Sequence, residues 1–297
     1  MEYIPAKALV SRTKNTSWFG TEYNMNIYRG CNHGCIYCDS RSNCYGIEDF
    51  SRVRAKKDAL LLLERDLKGK RKKGVIATGS MSDPYNPFEK SLHLTENALA
   101  LIDRYKFGVA IATKSDLVTR DLKALQNISA HSPAIVKITI TTISDEKSKI
   151  VEPGAPLSSA RFDAIHRLSQ NGIFAGILMM PVLPFIEDDE KEIEAFVERA
   201  KEAGAKFIYP YFGMTLREGQ REYFYQKLED AFPGLSKRYK ELYQDRYNCD
   251  CPDAGRKYHI LENACEKRGI LFRMKEIIAA YQAPYQDKQL DMFSLLE

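Results

Sequence analysis

Short apolar runs alternate along the chain with stretches in which apolar residues recur every three to four positions. The runs lie at residues 24–30 (NMNIYRG), 74–80 (GVIATGS), 108–115 (GVAIATKS), 134–143 (AIVKITITTI), 172–182 (GIFAGILMMPV) and 206–214 (KFIYPYFGM). Several lack the polar residue at every second position that a strand with one wet face shows, which suits a parallel sheet covered by helices. Between them, Leu60, Leu63 and Leu67, then Val118, Leu122 and Leu125, then Phe162, Ile165 and Leu168 fall on one side of a 3.6-residue repeat. The clearest repeat is Ile193, Phe196, Val197 and Ala200, opened by the acidic DDEKEIE (188–194) and closed by Gly204. Six strand–helix units predict an α/β fold, a parallel sheet curling into a partial (β/α)6 barrel rather than the eight-unit closed form.

From about Leu216 the pattern turns helical and aromatic (REYFYQKLEDAF, KRYKELYQDRY), so the barrel is expected over residues 1–215 and a helical C-terminal extension of the same domain over 216–281. Tyr209, Tyr211, Tyr223 and Tyr225 read as packing residues of this region. Residues 282–297 are polar and read as a loosely held, flexible tail. No stretch approaches the roughly 18 apolar residues of a membrane span, so no membrane partner is expected and the cytoplasm is the expected compartment. The net charge of +4 leans only weakly toward anionic partners, and the basic run Lys68–Lys73 reads as a solvated loop between a helix and a strand.

The candidate chemistry is concentrated in YRGCNHGCIYCDSRS (28–42), where Cys31, Cys35 and Cys38 fall within eight residues and no fourth cysteine follows at a matching distance. In a reducing compartment such thiols read as metal ligands before disulfides. A structural zinc ion takes four ligands, which would require His33 or Cys44 to join. A [4Fe–4S] cluster held by three thiolates instead keeps one iron open to a substrate or cofactor. Gly30 and Gly34 suit a loop that wraps closely around such a cluster. Cys44 by itself reads as a small buried hydrophobe, and Cys249, Cys251 and Cys265 as incidental cysteines, since residues 249 and 251 point apart on an extended segment.

The spacing C-x3-C-x2-C after the first strand of a βα barrel resembles the signature of the radical S-adenosylmethionine (SAM) superfamily. TGSMSDPYNPFEKSLHLT (78–95), ATKSD (112–116) and VEPGAPLSSARFDAI (151–165) extend the resemblance, over roughly residues 20 to 215, to the spore photoproduct lyase family and its wider group. The resemblance implies a radical SAM enzyme that reductively cleaves its cofactor at a [4Fe–4S] cluster and abstracts hydrogen from a substrate, DNA or another nucleic acid in the leading reading. It implies Cys31, Cys35 and Cys38 as cluster ligands, Tyr37 near the adenine, and Ser80, Asp83 and Lys114 at the methionine end. Thr139, Thr141 and Met180 are further cofactor-binding candidates. An electron donor of the flavodoxin or ferredoxin type is the expected partner. The lyase's hydrogen-returning cysteine has no counterpart, because Ser80 or Met81 stands at that place and neither can supply an S–H hydrogen. The alternatives are a radical SAM enzyme on a peptide or small molecule, and a non-catalytic iron–sulfur electron-transfer or binding protein. Gln289–Phe293 (QLDMF) also resembles the pentapeptide by which bacterial replication and repair proteins dock on the DNA sliding clamp, with Gln282–Lys288 as its tether.

Overall fold

The computed structural model describes the backbone of residues 1–294 and side chains through Tyr285. Its strands are β1 (Glu2–Ile4), β2 (Val10–Arg12), β3 (Tyr23–Met25), β4 (Tyr28–Arg29), β5 (Arg54–Lys56), β6 (Val75–Thr78), β7 (Gly108–Thr113), β8 (Ala134–Thr139), β9 (Phe174–Val182), β10 (Ile208–Thr215) and β11 (Asn248–Asp250). Its helices are α1 (Ala59–Gly69), α2 (Glu89–Leu92), α3 (Leu94–Arg104), α4 (Leu122–Ser129), α5 (Asp145–Val151), α6 (Ser158–Gln170), α7 (Glu190–Glu202), α8 (Gln220–Ala231), α9 (Leu235–Tyr243), α10 (Ala254–Arg268) and α11 (Met274–Ser294).

One sheet of eight strands runs β11-β10-β9-β8-β7-β6-β3-β2. The six expected strands form its centre and pair parallel throughout, while β2 and β11 add antiparallel edges. Two buried faces explain the continuous apolar runs. Ile76, Val109, Val136 and Ile177 pack outward into the large core that includes Leu63, Leu99, Leu125 and Phe162 of the helices. Val75, Ala110, Ile135 and Phe207 pack into the opposite cluster with Phe19, Ile277 and Tyr281. Helix α7 shows the local logic: Asp189 caps its N-terminus by accepting from the Lys191 amide at 3.0 Å, and Ile193, Phe196, Val197 and Ala200 are buried. The basic run begins inside α1, where Lys68 stands in the last turn, and its remaining residues form the connection to β6.

Three expectations change. The run 24–30 is not one strand: β3 ends at Met25, and Tyr28–Arg29 leave the barrel to pair antiparallel with β5, in a second sheet ordered β1-β5-β4. That departure carries the chain into the cysteine loop. Cys44 is exposed rather than buried, because it stands on the outer side of the loop, where Arg217 Nη1 lies 3.2 Å from its sulfur. The segment from residue 282 is not a loose tail at its start, since α11 runs to Ser294 through Pro284. Tyr281 donates to the Phe19 carbonyl at 2.6 Å, Gln282 to the Gly20 carbonyl at 3.3 Å and Tyr285 to the Ser129 carbonyl at 2.6 Å. The helix docks because Ile277 and Tyr281 complete an apolar cluster that the strands alone leave unfilled. Gln289–Phe293 fall in this helix, but their side chains lie outside the described residues. Among the described residues no helix is long and apolar enough to cross a membrane.

Candidate active site

The cysteine loop is anchored by its backbone. Cys31 N donates to the Phe50 carbonyl at 2.8 Å, Ile36 N to the Val151 carbonyl at 2.9 Å and Gly154 N to the His33 carbonyl at 2.7 Å. Ser82 Oγ donates to the Gly30 carbonyl at 2.5 Å. Gly30 has φ +81°, and a Cβ there would meet the Arg52 carbonyl oxygen at 2.5 Å, so only glycine lets the loop pass this close to its neighbour. Ser82 follows the C-terminal end of β6, and Val151 and Gly154 follow β8 and α5, so these anchors tie the loop to the end at which barrel enzymes carry their chemistry.

Cys35 is buried, Cys31 and Cys38 are half-buried, and none is in a disulfide. Among the described residues no three His, Cys, Asp or Glu side chains converge on a single ion position. Of the two further ligands that zinc would need, His33 Nε2 lies 3.5 Å from Asp83 Oδ2 and Cys44 is exposed. A cluster asks for soft thiolates around several irons, which three cysteines on one glycine-kinked loop supply. Burial pushes the Cys31 thiol up to about 11 and raises Cys35 and Cys38 as well, with Lys114 opposing the rise at the latter two. A buried bare thiolate is disfavoured, and a bound metal reverses that preference.

Behind the loop is a buried ion network. The Tyr37 phenol donates to Glu152 Oε1, Arg161 Nη2 lies 2.5 Å from Glu152 Oε2, and Lys114 Nζ lies 3.9 Å from Glu152 Oε1. The Arg161 contact is an ion pair without hydrogen-bond alignment; its Nη1 donates to the Thr139 carbonyl at 2.9 Å. Burial alone would raise the Glu152 carboxyl, but Arg161 and Lys114 outweigh it and hold the pKa below its ordinary value. Burial likewise opposes the Lys114 charge, yet Cys35 and Glu152 keep its pKa raised. Glu187 goes the other way. Burial pushes it up to about 8, although Thr141 Oγ1 donates to it at 2.6 Å and Leu183 N at 3.1 Å.

A cavity of about 350 Å³ opens beside this network, lined in part by Ser80, Asp83, Lys114, Thr139 and Met180. Five of the seven expected cofactor residues are thus brought together. Tyr37 is not in the lining; its ring sits 5.5 Å from Lys114 Nζ and so reaches the cavity only through that lysine. Thr141 stands past the end of β8 and turns to Glu187. The Asp83 oxygens are already engaged by Thr113 Oγ1 (2.6 Å), the Tyr85 amide (2.9 Å) and the Lys114 amide (2.8 Å), so it braces the turn after β6 against the end of β7. Gly79, at φ +96°, makes that turn possible, because a Cβ would lie 1.8 Å from the Ala112 carbonyl oxygen. Reading the sequence did not single out Glu152, Arg161 or Gln220. Gln220, fully buried at the start of α8, donates to the Tyr37 carbonyl at 2.9 Å and the Thr215 carbonyl at 2.8 Å. Glu152 and Arg161 lie inside the quoted VEPGAPLSSARFDAI, so their neighbourhood was marked and their pairing was not.

A partial parallel barrel with a three-cysteine loop at the C-terminal ends of its strands, over a cavity bearing lysine and hydroxyl groups, has the layout of a barrel enzyme. The signature of the Radical SAM superfamily matches residues 25–200, and the chain belongs to that superfamily. An uncharacterized protein of Methanocaldococcus jannaschii is 30% identical over 237 residues, covering 79% of this chain and 86% of its own. An uncharacterized protein of Mycobacterium tuberculosis is 27% identical over 248 residues, covering 81% and 73%. Among solved structures, a spore photoproduct lyase variant with bound AdoMet and dinucleoside spore photoproduct superposes with a TM-score of 0.67 at 14% identity, covering 91% of this chain and 82% of that one. At that identity the likeness is one of fold.

Proposed function

We propose that the chain holds one [4Fe–4S] cluster through Cys31, Cys35 and Cys38 and uses it on SAM bound at the mouth of the barrel. The observation that carries this reading is the meeting, in one place, of a three-thiol loop with a cavity lined by Ser80, Lys114, Thr139 and Met180. A cluster held by Cys31, Cys35 and Cys38 would supply the one-electron chemistry for reductive cleavage of SAM and, through it, for hydrogen abstraction from substrate. The protein's share is positional. Lys114 offers its ammonium to the cofactor carboxylate, and Ser80, Thr139 and the backbone at Met180 offer hydrogen-bonding groups around it. Glu152 and Arg161 hold Lys114 and Tyr37 in place and keep water out of the space behind the loop. A flavodoxin- or ferredoxin-type donor supplies the electron.

The leading substrate reading is a lesion in nucleic acid, supported by the fold shared with a lyase variant that has a dinucleoside spore photoproduct bound. In this reading the clamp-like Gln289–Phe293 brings the enzyme to DNA, which requires that stretch to leave its helix. A small-molecule substrate is favoured instead by the missing thiol at Ser80 or Met81 and by the modest size of the cavity. Anaerobic reconstitution with iron and sulfide, then dithionite and SAM, tests the radical reading. The expected result is about four irons per chain and 5′-deoxyadenosine by chromatography. A reconstituted, reduced protein that leaves SAM intact overturns it.

A further inference from the structure

The cavity contains one ionisable side chain that no described residue answers. Lys137 stands in β8 between Ile135 and Thr139, lines the cavity, and is only 2% exposed. Among the described residues no hydrogen bond or ion pair offsets its burial, which pushes the amine down to about 7. The other cavity ions are engaged: Asp83 by Thr113, Tyr85 and the Lys114 amide, and Lys114 by Glu152. Lys137 Nζ lies 4.4 Å from the centre of the Phe19 ring, whose face it can use only as a weak partner. Phe19 itself is fully buried with φ +48°, a conformation that non-glycine residues rarely take. It is held there by the Tyr281 phenol on its carbonyl and by Met274 Sδ at 3.3 Å from its amide.

A methionine or leucine at residue 137 would fill this space without burying a charge, so the needs of the fold do not account for a lysine. Its position does suggest a use. It sits two residues before Thr139 along β8, about 6–7 Å further from the cysteine loop, which places it deeper than the cofactor-binding hydroxyls. The wall around it includes Trp18, Ala112 and Leu178, with Asn24 as a neutral polar neighbour, and of the three ionisable side chains that line the cavity, Asp83, Lys114 and Lys137, it is the one with no partner among the described residues. In such a setting an ion pair with an incoming anion is far stronger than in water.

We propose that Lys137 is the substrate-recognition residue of this cavity, and that the substrate carries a small oxyanion, a carboxylate or a phosphate, which reaches the floor and pairs with the lysine ammonium. The proposal rests on the cavity being the reaction chamber, and it names the chemical class of what enters.

Trp18 is the single tryptophan of the chain and lines the same cavity, so its fluorescence reports occupancy. The reconstituted protein with SAM is titrated with inorganic phosphate and, separately, with acetate, with chloride at equal ionic strength as reference. The expected result is a saturable change with one or both oxyanions and none with chloride; the preferred oxyanion identifies the substrate's group. Lys137→Met should weaken that binding at least tenfold, with iron content and SAM affinity unchanged and a higher melting temperature, because a buried charge has been removed. Lys137→Arg should retain a measurable response. Two results overturn the proposal: no saturable response to either oxyanion in the wild-type protein, or Lys137→Met that lowers the melting temperature while binding the oxyanion as well as wild type. The outcome is separable from the radical reading, since oxyanion binding without any 5′-deoxyadenosine would refute that reading alone.

Discussion

Two sets of three cysteines occur in this chain, and they meet different fates. Cys31, Cys35 and Cys38 share one loop that is fastened by backbone hydrogen bonds and has Lys114 and Glu152 behind it. Cys249 sits in β11 within an apolar cluster that includes Met214, Phe224 and Tyr239, Cys251 Sγ lies 3.4 Å from the Val182 carbonyl, and Cys265 is fully buried on α10. Burial raises the thiol pKa in both sets, up to about 11 at Cys249 and about 12 at Cys265. Burial therefore does not separate them. What separates them is that one set lies on a glycine-kinked loop at the mouth of a barrel, while the other is dispersed over a strand end and a helix interior, where cysteine acts as a small hydrophobe.

The largest expected effect breaks the comparison outright. Replacing Cys31, Cys35 and Cys38 together by alanine should abolish cluster iron and the brown absorbance. Cys249→Ala, Cys251→Ala and Cys265→Ala should each retain iron and lose about 1 kcal/mol of stability. Iron lost from the second set and kept by the first would invert the assignment. Next comes the support behind the loop. Glu152→Ala leaves Arg161 buried without its partner and should cost about 3–5 kcal/mol in urea unfolding. Lys114→Ala should weaken SAM binding by about 1.5–3 kcal/mol with the cluster intact, measured by calorimetry.

The smallest effect concerns pH and sets Glu187 against Glu152. Glu187, raised from an ordinary 4.5 to about 8, stays protonated in the fold while the unfolded chain ionises. Its contribution is complete below about 4.5 and is lost as pH rises toward 8, by at most about 1.4 kcal/mol between pH 6 and 7. Glu187→Gln should flatten that decline in thermal unfolding followed across the range. Glu152, held below its ordinary value, has the opposite sign: its contribution is present above about 4.5 and is lost on acidification. A decline of the same steepness in Glu187→Gln would show that another group titrates there.

The six central strands, the helices α1, α4, α6 and α7 and the cysteine loop were legible because each is written in local periodicity or spacing. β8 shows apolar residues on both faces, and α7 shows its stripe, cap and glycine stop within sixteen residues. Strands β1, β2, β5 and β11 were not legible, since three residues are too few to display a period, and β1 and β5 pair in a separate sheet while β2 and β11 are the edges of the large one. Cys44 and the start of the presumed tail misled for a related reason: local polarity says little about which surface a distant element will cover, and α11 docks on Phe19 and Gly20, more than 250 residues away in sequence.

Periodicity by itself determined the parallel barrel, and the spacing of Cys31, Cys35 and Cys38 carried the resemblance to the superfamily, because both are written in residues close together in the chain. Only the tertiary structure decided that Glu152 joins Tyr37, Arg161 and Lys114, that Gln220 of the C-terminal extension holds the Tyr37 carbonyl, and that Lys137 faces the cavity without a partner among the described residues. Charges and hydrogen bonds act through space at a few ångströms, and the residues they join are separated by up to 183 positions along the chain, a distance over which no sequence period survives.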